Sequence, residues 1–183
     1  MAPMARVCGC GLQRMERTMT LSLRDSLHLV SDPMNLDASV DEVFRLMLGI
    51  ECLRDAEKQC LPGIDNGESV TAVVGFGGLL SGACVVRLNA LAAMTVASKM
   101  TGMSFTAVDD TVKDGIGEIC NMLAGTWKGK VPDLAANCGL SIPACITGRD
   151  YNLHVQAPEF QLEHVYISNG LRFSVSIICD SLQ

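Results

Sequence analysis

The sequence predicts an α+β fold: a mostly antiparallel sheet with long helices packed on one face. Three observations carry this expectation. Asp110 to Lys130 repeats its apolar residues with helical period over roughly five turns. Ser69 to Phe76 and Leu80 to Asn89 are rich in valine and small apolar residues and flank Gly77-Gly78, as in a hairpin. Asn169-Gly170 separates two further apolar runs and is the strongest two-residue turn signal in the chain. The order is helix, two strands, two helices, then further strands. Such an order suits helices segregated to one side of a sheet.

Each element has a local reason. Residues 1 to about 24 lack periodicity and carry Arg6, Arg14, Arg17 and Arg24. We expect a loosely ordered leader over 1–30 and one domain over 31–183. Met15 and Met19 offer alternative starts, and Glu16 interrupts the pattern of an organelle presequence. Leu27, Leu29 and Val30 suggest a short edge strand, which Pro33 stops. The first helix is expected near Asp37 or Ser39, where Ser39 and Glu42 make a capping box. Its buried stripe would be Val43, Leu46, Met47, Ile50 and Leu53. Pro62-Gly63 and Asn66-Gly67 mark the loop beyond.

The strands of the first hairpin do not strictly alternate, so both of their faces should be covered. Asn89 is placed to cap a helix over 90–101, with Gly102 as its stop. Met94, Met100 and the nearby Met103 read as core filler. After Pro132 the expected strands are Gly139–Gly148, His154–Ala157 and Gln161–Ser168. In the last strand Leu171, Phe173, Val175, Ile177 and Cys179 alternate with Arg172, Ser174 and Ser176. That pattern predicts one dry and one wet face.

Composition bounds the function. With 183 residues, 49% of them hydrophobic and 19% charged, the chain fits one globular domain. A net charge of −6 without a Lys/Arg cluster argues against nucleic acid as a partner. No apolar run reaches membrane-spanning length, and the start lacks the apolar core of a secretory signal, so the cytoplasm is the expected location. The nine cysteines are odd in number and scattered. Cys52, Cys84, Cys120, Cys145 and Cys179 sit in apolar patterns and read as reduced core residues. Cys8 and Cys10 have no second pair and no histidine at metal spacing, so no metal site is expected; a redox-responsive dimer through them is the weaker idea. His28, His154 and His164 stand alone and read as ordinary surface or strand residues.

The chemistry concentrates on the helix at 110–130. Val112, Ile116, Ile119, Cys120, Leu123 and Trp127 form its apolar arc. Asp114, Glu118, Asn121 and Gly125 share the opposite side. A solvated polar face is the plain reading of such a pattern. Several features favour a site instead. Asparagine is a poor residue for the middle of a helix. Glycines inside the helix, among Gly115, Gly117 and Gly125, cost about 1 kcal/mol each relative to alanine, which a close approach by another backbone would offset. A carboxamide both donates and accepts, so it can hold a water by two contacts. A carboxylate one turn away can anchor a lysine or take a proton. No nucleophile triad, P-loop or dinucleotide fingerprint competes. Val40–Gly49 echoes Asp114–Gly125 when Met47-Leu48 is set on Met122-Leu123, a hint of internal two-fold pseudo-symmetry. That first copy has no Glu-x-x-Asn pair.

At these residues the sequence resembles a known family. Asp114-x-x-x-Glu118-x-x-Asn121-Met122-Leu123-Ala124-Gly125, followed by Ile142-Pro143-Ala144-Cys145-Ile146-Thr147-Gly148, is similar to the chemotaxis phosphatase CheX, within the CheC/CheX/FliY group. The proline falls one residue short of the family's spacing. The resemblance covers about 37–180 and makes 31–183 a CheX-like phosphatase domain with a CheC/CheX-like fold. It implies hydrolysis of the aspartyl-phosphate of a CheY-like response regulator. It implies that Asn121 orients the attacking water and Glu118 pairs with the regulator's lysine. Asp114 and Gly125 match supporting positions. It implies no cofactor of the chain's own, since the regulator brings Mg²⁺. It also implies a homodimer joined through sheet edges, for which the final hairpin offers an edge. The absence of a first motif favours the CheX type over the two-motif CheC type. A non-catalytic module that docks receiver domains through the same helix is the alternative.

Overall fold

The computed structural model describes residues 27–55, 67–149, 151, 153–154 and 156–183. Most of the expected leader, Cys8, Cys10, Pro62-Gly63 and Asn66 lie outside these residues. In chain order the elements are α1 (Leu27–Val30), α2 (Pro33–Leu48), β1 (Leu53–Arg54), β2 (Ser69–Gly78), β3 (Leu80–Asn89), α3 (Ala90–Thr101), α4 (Asp110–Gly129), α5 (Pro132–Asn137), β4 (Cys138–Leu140), β5 (Ala144–Gly148), β6 (Phe160–Ser168) and β7 (Leu171–Leu182). The sheet runs β1-β6-β7-β3-β2, and β4 and β5 lie end to end along the outer edge of β2. Every pairing is antiparallel.

Local chemistry sets the boundaries. Asn89 Oδ1 accepts from the Ala92 amide at 2.7 Å, and Gly102 ends α3 in the left-handed conformation. Both were legible in the sequence, as was the β2–β3 hairpin. Asn169 and Gly170 take φ of 48° and 80°, the paired positive values of a tight hairpin turn. The N-terminal expectations need correction. Leu27–Val30 is a helical turn, not an edge strand. Pro33 opens α2 rather than stopping a strand: its missing N–H costs nothing in a first turn, and Asp32 caps it by accepting from Met34 N at 2.9 Å. Ser39 is therefore inside the helix, buried, with its hydroxyl donating to Asn35 O at 2.6 Å. The stripe turns with it: Leu36, Val40, Val43, Phe44 and Leu48 are buried, while Leu46 and Met47 face outward.

The core lies between the sheet and α2, α3 and α4. Phe44 stacks on Phe173 at 4.5 Å, Phe173 on Tyr166 at 5.4 Å, and Trp127 meets Phe76 at 5.3 Å. Met94 and Met100 pack against this core, but Met103 is largely exposed.

The second face of the sheet is not wet at its centre. In register across the strands, Thr71, Arg87, Ser174 and Val165 form one row, and Ser174, Ser176, Thr71 and Val165 are all buried. Tyr151 donates to Thr71 Oγ1 at 2.6 Å and lies under Arg87, while Asp55 pairs with Arg172 at 3.1 Å. Segments crossing that face cover residues that alternation alone assigned to solvent. No strand forms at the described residues of 154–157. β7 lies inside the sheet, so the final hairpin offers only the outer side of β6, part of which β1 occupies.

The internal echo survives with a shift of one residue. Burial matches Leu36 with Val112, Val40 with Ile116, Val43 with Ile119, Phe44 with Cys120, and Leu48 with Ala124. In that phase Glu42 stands opposite Glu118, and Arg45 opposite Asn121.

Candidate active site

The site starts from how α4 is rotated. Asp109 caps it by accepting from Val112 N at 2.9 Å. Val112, Ile116, Ile119, Cys120, Leu123 and Trp127 are then all essentially inaccessible, as the apolar arc requires. Burying that arc leaves Asp114 and Glu118 exposed and Asn121 and Gly125 half-buried. Glu118 and Asn121 are three residues apart, so they stand about 4.5 Å apart along the axis on one face. Neither side chain has a polar partner among the described residues. The carboxylate and the carboxamide are therefore both available to a ligand.

A shallow cleft of ≈ 330 Å³ opens beside Glu118. Asp110, Lys113, Asp114 and Gly117 line it from α4, Pro143 from the loop before β5, and Cys145 from β5 itself. The two halves of the sequence motif thus meet in space. Asn121 and Gly125 lie further along the same helix, outside that cleft.

Two side chains of the cleft carry no signal in the motif. Lys113 Nζ bonds Asp110 Oδ1 at 2.9 Å. Their mutual hydrogen bond holds the Asp110 carboxyl below, and the Lys113 ammonium above, its ordinary value. Cys145 is a half-buried free thiol that packs against the edge of the core, as its apolar pattern suggested, and also opens onto the cleft. Burial still pushes its thiol up, with Lys113 opposing. Cys84, Cys120 and Cys179 are buried free thiols as expected, while Cys52 is half-buried.

Packing within the chain gives a reason for one of the glycines. A Cβ on Gly117 would stand 3.2 Å from Pro143 Cβ, closer than ordinary contact. Gly115 faces Ala97 and Met100 of α3, and Gly125 faces Leu140. The one tight approach is that of Pro143 over Gly117; Gly115 and Gly125 stand in ordinary van der Waals contact with their neighbours.

His164 is not an isolated surface residue. It is buried, with Nδ1 2.7 Å from Asp37 Oδ1, and the Tyr166 hydroxyl donates to the same oxygen at 2.7 Å. This cluster ties α2 to β6 and lies away from the α4 cleft. Among the described residues no group of three or more His, Cys, Asp or Glu is placed to hold a metal ion. No helix among them is long and apolar enough to cross a membrane.

Comparison with solved structures places the fold. CheX from Vibrio vulnificus superposes with a TM-score of 0.67 at 18% identity, covering 80% of this chain and 95% of that one. CheX from Desulfovibrio desulfuricans gives 0.65 at 21% identity, over 80% and 97%. CheX in a CheX–CheY–BeF₃–Mg²⁺ complex from Borrelia burgdorferi gives 0.62 at 21% identity, over 81% and 97%. At these identities the likeness establishes the fold. No curated protein sequence matches the chain. The family profile for chemotaxis phosphatase CheX matches residues 70–163, which run from β2 into β6 and contain α4 and the loop that meets it. With that match over half its length, the chain belongs to the chemotaxis phosphatase CheX family.

Proposed function

We propose that this protein hydrolyses the aspartyl-phosphate of a CheY-like response regulator. The observation that carries the reading is the pair Glu118 and Asn121, without a polar partner among the described residues and one turn apart on the open face of α4, in a member of this phosphatase family. The Borrelia complex, in which a CheX is held with CheY, BeF₃ and Mg²⁺, supports a receiver domain as the partner.

In this mechanism Asn121 accepts a proton contact from a water through Oδ1 and fixes its orientation through Nδ2. The water oxygen bonds to phosphorus as the bond from phosphorus to the aspartyl oxygen breaks. The aspartate leaves as a carboxylate, and the surplus proton leaves with the phosphate product. Positioning of this kind is most of what a protein contributes to phosphoryl transfer. Glu118 pairs with the regulator's lysine and fixes the docking angle. Asp114 and Gly125 support the same face. Mg²⁺ comes with the regulator. The reaction takes place in the cytoplasm, where the protein acts as a homodimer; the outer side of β5, unpaired among the described residues, is the edge best placed to join two copies.

Phosphate release from a phosphorylated receiver by wild type, Asn121→Ala and Glu118→Ala tests this. Wild type should accelerate release and both variants should lose most of the acceleration. Full activity in both variants would sink the assignment. Tight binding without acceleration by wild type would instead make the protein a receiver-docking module.

A further inference from the structure

Ile142 is the most exposed large hydrophobic residue described, with 88% of its surface accessible. An exposed isoleucine alone needs no explanation. Its setting is what makes it informative. The loop that carries it, between β4 and β5, is fixed on both sides. Ser141 N donates to Gly75 O at 2.9 Å, Gly75 N donates to Ser141 Oγ at 2.9 Å, and that hydroxyl donates to Ile142 O at 2.9 Å. On the other side Pro143 packs over Gly117 so closely that a Cβ there would intrude. The loop is therefore held by β2 and by α4 at once, and Ile142 is the residue it projects outward.

The same loop walls the cleft. Pro143, next in sequence to Ile142, lines it together with Glu118, Asp114 and Lys113. A standard interface covers about 800 Å² per partner, a disc roughly 15 Å in radius. Ile142 is joined to the residue that walls the cleft beside Glu118, so it lies within the area that a receiver domain docked on that cleft would span.

We propose that Ile142 is the apolar anchor of receiver docking. It would seat in an apolar socket of the phosphorylated regulator, beside the lysine that Glu118 pairs with. The inference rests on the phosphatase reading and deepens it: the charged contact sets the angle, and the apolar contact supplies affinity. Because the loop is already fixed, seating the side chain loses little conformational freedom, the condition under which a single apolar contact counts most. Ile142 makes no contact with the reacting atoms, so its role is in KM and not in kcat.

The test uses the full chain and a CheY-like receiver loaded with BeF₃ and Mg²⁺ for affinity, and the phosphorylated receiver for turnover. Ile142→Ser is expected to weaken both Kd and KM by about ten-fold. Its kcat should stay within about two-fold of wild type, its melting temperature should be unchanged, and Ile142→Val should bind nearly as well as wild type. Wild-type affinity in Ile142→Ser, with activity lost in Asn121→Ala, would overturn the anchor and leave the phosphatase reading standing. A changed oligomeric state with unchanged receiver affinity would assign Ile142 to a contact between copies and likewise overturn it. Neither binding nor turnover by wild type would overturn both readings.

Discussion

Helices α2 and α4 bury the same pattern of positions against the same sheet, yet their outer faces differ. On α2 the polar face is occupied. Glu42 bonds Lys130 Nζ at 2.9 Å, Arg45 bonds Asp41 at 3.3 Å, and Leu46 is exposed beside them. On α4 the matching positions hold Glu118 and Asn121, which have no partner among the described residues. The two glutamates show that residue type does not make a site. A carboxylate already bonded to a lysine of its own chain is not free to bind another protein's lysine. A guanidinium bonded to Asp41 is donor-only and cannot hold a water by donor and acceptor together. What distinguishes α4 is that its neighbours leave the pair alone while the loop at Pro143 walls a cleft beside it.

That comparison can be broken in several ways. The largest effect is expected from Asn121→Arg, which gives α4 the residue of α2. Phosphate release should fall by about 10²–10³-fold, the usual loss when a placed polar contact to the reacting group is removed. The reciprocal Arg45→Asn should leave the rate unchanged, because Glu42 remains held. Steady-state assays on both variants decide the point; equal loss in both would mean that the helices share the work.

The next effect concerns stability on the α2 side. Asp37→Ala leaves His164 and the Tyr166 hydroxyl without their shared acceptor in a buried setting. Urea unfolding should show a loss of roughly 2–3 kcal/mol with phosphatase activity intact in the surviving folded protein. On the α4 side the glycines separate. Gly115→Ala brings its Cβ into ordinary contact at 3.6 Å with Ala97. It should stabilise the helix by about 0.5–1 kcal/mol. Gly117→Ala meets Pro143 at 3.2 Å, and overpacking should cancel or reverse the same gain. Thermal melts that rank Gly117→Ala above Gly115→Ala would contradict this packing.

The last effect is one of pH and shows only in alkaline solution. Burial pushes the thiols of Cys52 and Cys179 up from 9.0 to about 11. The folded state keeps protons that the unfolded state releases. Stability from this source is complete below pH 9 and is lost as pH rises through 11. Melting temperature followed from pH 8 to 11 should fall in wild type and fall less steeply in Cys179→Ala.

The residues themselves determined a great deal. The apolar arc of α4, the Asn89 and Gly102 ends of α3 and the Asn169-Gly170 turn are local signals, complete within a few residues, and the structure repeats them. Because the arc fixes which side of α4 is buried, it also fixed that Asp114, Glu118 and Asn121 face outward. Pro33 misled because the same residue stops a strand or opens a helix, and only the Asp32 cap decides between them. Ser174 and Ser176 misled because alternation reports two faces of a strand and not what lies over each. His164 looked solitary because Asp37 stands 127 residues away. Tertiary structure alone decided the use of the outward faces. It bonded Glu42 to Lys130 and left Glu118 without a partner among the described residues, and it set Pro143 against Gly117 so that Ile142 projects beside the cleft. These are choices between distant segments, settled by packing and long-range ion pairs, and no window of sequence contains both members of any of them.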